Sequence, residues 1–153
     1  MASGAKAFGH PIHPTLIVFP LGLLATAAIF DIIGIITGSP VWSSIAFYLI
    51  AAGVIGGLAA AIFGLIDWLA ITSGTRAKRV GAIHGLGNLT VVLLFAGSWW
   101  LRSAQPTQPT KAALTLSFLG VLLALYTGWL GGELVFKHGV GVEQQSGSGV
   151  GNP

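Results

Sequence analysis

The sequence contains no cysteine and very little charge. The lack of cysteine excludes disulfides, zinc–thiolate sites, iron–sulfur clusters and thiol redox chemistry. Only 7% of the 153 residues are charged, whereas a typical soluble domain has about 25%, so the chain cannot cover the surface of a soluble protein. The seven Lys and Arg residues form no polybasic patch, which excludes a nucleic-acid binder.

Catalytic motifs are also lacking. The sequence has no Gly-x-Ser-x-Gly elbow, no phosphate-binding loop and no His-Glu-x-x-His motif. Hydrolase and nucleotide-binding functions are therefore unsupported, and we assign no catalytic residue.

Four long apolar runs are present, and 54% of all residues are hydrophobic. Each run is long enough to cross a bilayer as a helix, and none alternates every second residue as the strands of a β-barrel do. The sequence therefore predicts an all-α integral membrane four-helix bundle with up-down-up-down topology. The predicted spans are residues 14–37, 41–71, 80–101 and 112–136 within a transmembrane domain of residues 14–142.

The remaining residues form two short terminal segments. Residues 1–13 are predicted to be an N-terminal segment with a His-Pro-Ile-His-Pro turn. Residues 143–153 are rich in Gly, Ser and Gln and are predicted to be a disordered tail.

Basic residues orient the bundle, because cytoplasmic loops carry an excess of Lys and Arg. One side has five: Lys6, Arg76, Lys78, Arg79 and Lys137. The other side has only Arg102 and Lys111. We therefore predict that both termini are cytoplasmic, in a bacterial inner membrane.

Ionisable residues within the spans are candidate functional sites, because they are costly in a bilayer. Residues of two antiparallel helices lie level when they are equally far from the connecting loop. This rule places residues from four spans in one layer near the cytoplasmic face: His13, Asp67, His84 and Glu133. His10 and His138 lie just outside the layer. Asp31 lies near the opposite face, where we predict a pair with Arg102 or Lys111.

The layer has several interpretations. Haem b needs axial imidazoles, and His84 is the best candidate, with His13 or His138 opposite and Asn88 on the same helix face. A transition metal ion is the second, with His10, His13, His84 and Asp67 as candidate ligands and Glu133 as another. A proton or ion path is the third, although its outward half lacks polar groups.

Purely structural roles are equally open. Asp67 and His84 would form a buried hydrogen bond, and Glu133 would pair with Lys137 one turn later. The leading hypothesis is a haem b or metal site with His84 and His13 as ligands and Asp67 as a further ligand or as a partner of one, used for electron transfer or metal handling. The alternative is a non-catalytic membrane subunit whose polar layer fixes helix packing or docks a partner.

The expected partners are the lipid bilayer and another protein. Glycines at four-residue spacing allow close helix approach, either inside the bundle or in a homo-oligomer: Gly53-Gly57, Gly81-Gly85 and Gly128-Gly132. A redox protein is the other candidate partner.

Several motifs together resemble an uncharacterised bacterial membrane family, catalogued as domain of unknown function two-two-three-one. The resemblance covers roughly residues 8–142. It rests on the segments Gly9–Pro14, Val18–Gly22, Gly64–Trp68, Ala82–Gly85 with Asn88, and Gly128–Val142. The resemblance implies a four-span domain without an established activity. Some relatives are joined to redox modules, which implies electron transfer or haem binding.

Overall fold

A computed structural model describes residues 4–142 and has four long helices. Their bounds are α1, Ile12–Thr37; α2, Pro40–Ala70; α3, Arg76–Arg102; and α4, Lys111–Phe136. All four are long and apolar enough to cross a membrane. The predicted all-α four-helix bundle is therefore confirmed. The predicted disordered tail, residues 143–153, lies outside the described residues.

The helix ends follow local sequence signals. Helix α1 ends at Gly38, whose φ of 66° is readily adopted only by glycine, and its N–H donates to the Gly34 carbonyl at 2.9 Å. Helix α3 begins four residues before the apolar run that predicts it. The reason is Thr75, whose hydroxyl oxygen accepts a hydrogen bond from the Lys78 N–H and caps the first turn.

The N-terminal segment forms a small β-hairpin rather than only a turn. Strand β1, Lys6–Ala7, pairs antiparallel with strand β2, His10–Pro11. Helix α1 follows at once and therefore begins at Ile12, two residues before the predicted span.

Most apolar side chains face away from the bundle interior. In the most hydrophobic stretch of each span, only 22–28% of the residues are buried inside the protein. Large exposed side chains occur on all four helices, including Phe19, Ile55, Leu93 and Leu122. Such a surface is stable only in lipid, so the structure agrees with the composition.

Small residues form much of the interior and bring the helices close together. Gly53 lies against Leu24, and a Cβ at this glycine would be 2.6 Å from the leucine side chain. Gly120 lies against Phe95 in the same way, at 2.7 Å. The backbones therefore approach so closely that these two positions have room only for hydrogen.

The pair α1–α2 and the pair α3–α4 are two copies of one helical hairpin. Buried positions match along the helices. In α1 and α3 the pairs are Pro20 and Val91, Leu24 and Phe95, Ala27 and Ser98, and Asp31 and Arg102. In α2 and α4 they are Ala46 and Ala113, Ile50 and Ser117, Gly53 and Gly120, and Ala60 and Thr127.

The two hairpins also share equivalent side-chain contacts. Leu24 on Gly53 corresponds to Phe95 on Gly120, and His13 and His84 contact equivalent places on α2 and α4. Each hairpin packs mainly within itself, and the seam between α1 and α4 is more open than the seam between α2 and α3. The bundle is thus a parallel repeat with an approximate two-fold axis along its length.

Candidate functional site

His13 is held at the start of α1 by the neighbouring helix α2. Its Nδ1–H donates a hydrogen bond of 2.9 Å to the carbonyl of Ala60. Gly64, one turn later on α2, lies beside the ring, and a Cβ there would be 2.9 Å from Cε1 of His13. The carbonyl fixes the tautomer and the glycine makes room, so the imidazole has a defined orientation.

His84 has the same environment in the second hairpin. Its Nδ1–H donates a hydrogen bond of 2.8 Å to the carbonyl of Thr127 on α4. A Cβ at Gly131 would lie 2.9 Å from Cε1 of His84. His84 lies level with Thr127 and Gly131, as the distance from the third loop predicts.

The two imidazoles are neighbours inside the bundle, in an edge-to-face arrangement. Their ring centres are 6.4 Å apart, and the ring planes are nearly perpendicular, at 89°. Because both Nδ1 atoms donate to carbonyls, each neutral ring has its lone pair on Nε2. Nε2 is therefore the nitrogen of each ring that could bind a ligand, and on His84 it already accepts a hydrogen bond from Asn88.

Asn88 and Thr127 distinguish the two histidines. The Asn88 side-chain amide donates to Nε2 of His84 at 3.1 Å, and the Thr127 hydroxyl donates to the Asn88 carbonyl oxygen at 3.0 Å. The corresponding positions near His13 are Ile17 and Ala60, which have no side-chain polar group. In the described part of the chain, therefore, only His84, and not His13, belongs to a network of side-chain hydrogen bonds.

Asp67 lies with the N-terminal segment. Its Oδ1 accepts hydrogen bonds from the backbone N–H groups of Gly4 and Ala5, at 2.9 and 3.1 Å. The structure does not give it the predicted hydrogen bond to His84, whose ring nitrogens contact Thr127 and Asn88 instead. His13 lies level with Ala60 to Gly64 rather than with Asp67. His10 is in strand β2 and is exposed.

Glu133 is the centre of a group of ion pairs near the same end. It is buried, and its Oε1 lies 3.5 Å from Arg76, 3.8 Å from Lys137 and 3.9 Å from His138. The predicted pair with Lys137 is present. Arg76 and Lys137 are 78% and 64% exposed, so these pairs contribute only modestly to stability.

The predicted larger metal shell is not assembled. Within residues 4–142, no three side chains of His, Cys, Asp or Glu are grouped so that they could hold a metal ion. Among the glycines beside His84, Gly81 packs on Trp68 and Gly87 on Thr127, whereas Gly85 faces open space. The imidazole pair of His13 and His84 is thus the feature that remains for ligand binding.

The opposite end of the bundle contains a buried ion pair. The Arg102 guanidinium donates two hydrogen bonds of 2.7 Å to the two oxygens of Asp31. This is one of the two pairs that the sequence predicts. Both side chains are completely inaccessible to solvent.

Two serines complete this ion pair, and sequence reasoning missed both. Arg102 also donates to Ser98 and Ser117, each at 3.1 Å, and Ser98 lies 2.8 Å from Ser117. Ser98 precedes Arg102 by one helical turn, a spacing that brings the two side chains together. Ser117 carries no comparable signal, because it comes from the next helix.

One protein family matches nearly the whole chain. Its model is described as "Predicted membrane protein (DUF2231)" and matches residues 9–144. No curated protein and no solved structure matches the chain. The four candidate spans agree with the family's description. The chain therefore belongs to this family of uncharacterised membrane proteins.

Proposed function

We propose that His13 and His84 would hold one haem b through their imidazoles and that the protein transfers electrons in the membrane. A single observation carries this proposal: two neighbouring imidazoles, one from each helical hairpin, with ring centres 6.4 Å apart. A metal–imidazole bond is about 2 Å and the ring centre is about 1 Å further, so two imidazoles on opposite sides of a metal have centres roughly 6 Å apart.

The tautomers of the two histidines also support the proposal. A metal-binding histidine usually donates its other N–H to a carbonyl or carboxylate, which fixes the ring and leaves one nitrogen for the metal. The Ala60 and Thr127 carbonyls accept these hydrogen bonds. Haem binding would replace the hydrogen bond between Asn88 and Nε2 of His84.

Haem fits this pair better than a bare metal ion does. A porphyrin supplies four nitrogens, so the protein needs to supply only one or two axial ligands. A bare transition metal ion needs three or four protein ligands. The absence of such a group within residues 4–142 therefore argues against the metal site, including the ligands predicted from His10 and Asp67.

The same proposal includes orientation and location. The basic residues near the histidines favour a cytoplasmic position for that end and for both termini, in a bacterial inner membrane. A redox protein would then exchange electrons with the haem from the cytoplasmic side. The seam between α1 and α4 is the route by which a planar group would reach the histidine pair, since it is more open than the seam between α2 and α3.

The visible spectrum of the purified protein tests the proposal. The protein would be produced with added haem precursor, purified in mild detergent and measured in oxidised and reduced forms. We expect one haem per chain, with the sharp reduced bands of a six-coordinate low-spin iron. His13→Ala and His84→Ala should each remove the low-spin spectrum.

Matched controls come from the two remaining histidines. His10→Ala and His138→Ala change the same residue type near the same end and should keep the spectrum. Absence of a Soret band after haem supplementation would refute the haem site. Equal losses in all four variants would show that the effect is not specific to the pair.

A structural role is the second candidate, and one observation favours it. His84, Asn88 and Thr127 form a hydrogen-bonded network that joins α3 to α4 without any ligand. In this case the protein is a non-catalytic subunit, and haem supplementation leaves its unfolding temperature unchanged. Haem binding predicts a rise instead, because a ligand that binds only the folded state stabilises it.

A further inference from the structure

The tip of the N-terminal hairpin presents an exposed aromatic side chain. Phe8 and Gly9 form the two-residue turn, with φ angles of 51° and 81°. Turns of this kind favour glycine or asparagine, and a bulky residue with positive φ is rare. The Phe8 side chain is nevertheless fully exposed, at 104%. An unfavourable backbone conformation thus presents a large apolar group outside the protein.

The base of this hairpin is firmly attached to the bundle. Asp67 on α2 accepts hydrogen bonds from the N–H groups of Gly4 and Ala5. The Ile12 N–H donates to the Ala5 carbonyl at 3.1 Å, which joins the hairpin to the first turn of α1. Phe8 is therefore held in a fixed place relative to the two helices.

That place is close to the membrane surface. Strand β2 continues directly into α1, which is a candidate span, so only Gly9, His10 and Pro11 separate Phe8 from the helix. A chain advances at most about 3.5 Å per residue, so the tip lies within roughly 14 Å of the start of α1. The headgroup layer outside the hydrocarbon core is about 5–8 Å thick on each side, about half of this maximum reach, so a hairpin that lies along the membrane surface places its tip among the headgroups.

Other side chains at this end have the composition of a membrane interface. Trp129 and Phe136 are 62% and 89% exposed near the end of α4. Arg76 and Lys137 are exposed cations near the same level. Aromatic rings and cations of this kind favour headgroups, and the cations favour anionic lipids.

We propose that Phe8 inserts into the headgroup region of an anionic leaflet and that the hairpin of residues 4–11 is a membrane anchor. Insertion removes the phenyl ring from water, which is the gain that offsets the backbone conformation of the turn. Asp67 transmits the anchoring to α2, and Ile12 transmits it to α1. This proposal is independent of haem binding.

A single-cysteine label measures this insertion, because the chain has no native cysteine. Phe8→Cys would be labelled with an environment-sensitive NBD fluorophore, and the full chain reconstituted in phosphatidylcholine–phosphatidylglycerol vesicles. Two controls use the same label. Thr72→Cys lies in the exposed loop between α2 and α3, and Leu122→Cys lies on the exposed surface of α4.

The label at Phe8 should be quenched at least about two-fold more by a nitroxide lipid with a shallow spin label than the label at Thr72. The label at Leu122 should be quenched most by a deep spin label. Quenching of the Phe8 label by aqueous iodide, at the level of Thr72, would overturn the proposal and indicate a protein partner or solvent instead.

A second measurement does not need the label. Amide hydrogen exchange of Ile12 in vesicles should become several-fold faster in Phe8→Asp and stay unchanged in Phe8→Leu, because leucine also partitions into lipid. Equal exchange in both variants, with both folded, would contradict an anchoring role.

Discussion

The two ends of the bundle are built from equivalent positions of the repeat and differ in how completely they are closed. At the arginine end, Asp31 and Arg102 are repeat equivalents and bind each other with both side chains inaccessible. At the histidine end, His13 and His84 are also repeat equivalents, but their rings are half-buried and 6.4 Å apart. The repeat thus brings like positions together at both ends.

The difference is consistent with a structural role for the arginine end and with the binding role that we propose for the histidine end. Arg102 has its charge neutralised by Asp31 and further N–H groups bonded to Ser98 and Ser117, so a ligand would find no free group there. At the histidine end, Nδ1 of each ring donates to a backbone carbonyl, and Nε2 of His84 accepts a hydrogen bond from Asn88. The ion pair joins the two hairpins, whereas the proposed haem would bind imidazoles that are already oriented and would replace the hydrogen bond from Asn88.

The largest expected effect is at the arginine end. Asp31→Ala leaves the Arg102 charge buried without its partner, so the free energy of unfolding should fall by about 3–5 kcal/mol. Thermal unfolding in detergent measures this loss. Lys111→Ala, an exposed residue at the same end, should change stability by less than about 0.5 kcal/mol. A loss as small as that in Asp31→Ala would mean that the pair does not lock the hairpins.

Substitution of the two glycines that contact the histidine rings should have the next largest effect. These variants disturb the histidine end and leave the arginine end unchanged. Gly131→Ala places a methyl group 2.9 Å from the His84 ring, which must shift at a cost of about 1–3 kcal/mol. Gly64→Ala should do the same to His13. Haem content, or imidazole chemical shifts, should change in both variants.

The control for these glycines is Gly85→Ala. This residue has open space around it, so its substitution should leave the histidines and the stability unchanged. An equal effect in Gly85→Ala would show that helix flexibility, rather than contact with the ring, explains the first two variants.

The four helices could be predicted from the sequence because apolar length alone identifies a span, and their bounds agree within four residues. The Asp31–Arg102 pair could be predicted because both residues are isolated charges near the same end. The repeat could not be predicted because only a minority of equivalent residues are identical, among them His13 with His84, Gly53 with Gly120 and Gly64 with Gly131. The repeat becomes evident only when the buried positions of the two hairpins are compared, and these positions are known from the structure.

The arrangement around Asp67 was also beyond sequence reasoning. Helix α2 has 31 residues, so distance from a loop does not define depth along it within a turn. The hairpin that binds Asp67 depends on a turn with Phe8 in a left-handed conformation, which no sequence rule favours. For these two reasons the sequence predicted Asp67 beside the histidine pair, whereas in the structure it binds the N-terminal segment.

Asn88→Ala should have a smaller effect on stability. Its effect on haem affinity distinguishes the two candidate roles of the histidine pair. It removes the hydrogen bonds to His84 and Thr127, which should cost about 1–2 kcal/mol of stability. It also frees Nε2 of His84, so haem affinity should rise or stay equal. A structural role alone predicts lower stability and no response to haem, and a titration of the apoprotein with haem distinguishes these results.

The smallest effect is expected for Glu133→Gln. Its partners Arg76 and Lys137 are exposed, so each ion pair is worth about 0–1 kcal/mol, and this contribution should shrink further in high salt. Thermal unfolding at low and high salt measures the change. A loss comparable to that in Asp31→Ala would mean that the histidine end is locked as firmly as the arginine end.

Electron paramagnetic resonance of the oxidised, haem-loaded protein tests the histidine pair most directly, because the signal reports both axial ligands and their relative orientation. Two imidazoles with planes 89° apart should give the strongly anisotropic low-spin signal of perpendicular axial ligands, and His13→Ala or His84→Ala should abolish it. A high-spin signal from the unaltered protein, or a low-spin signal that survives in both variants, would contradict coordination by this pair.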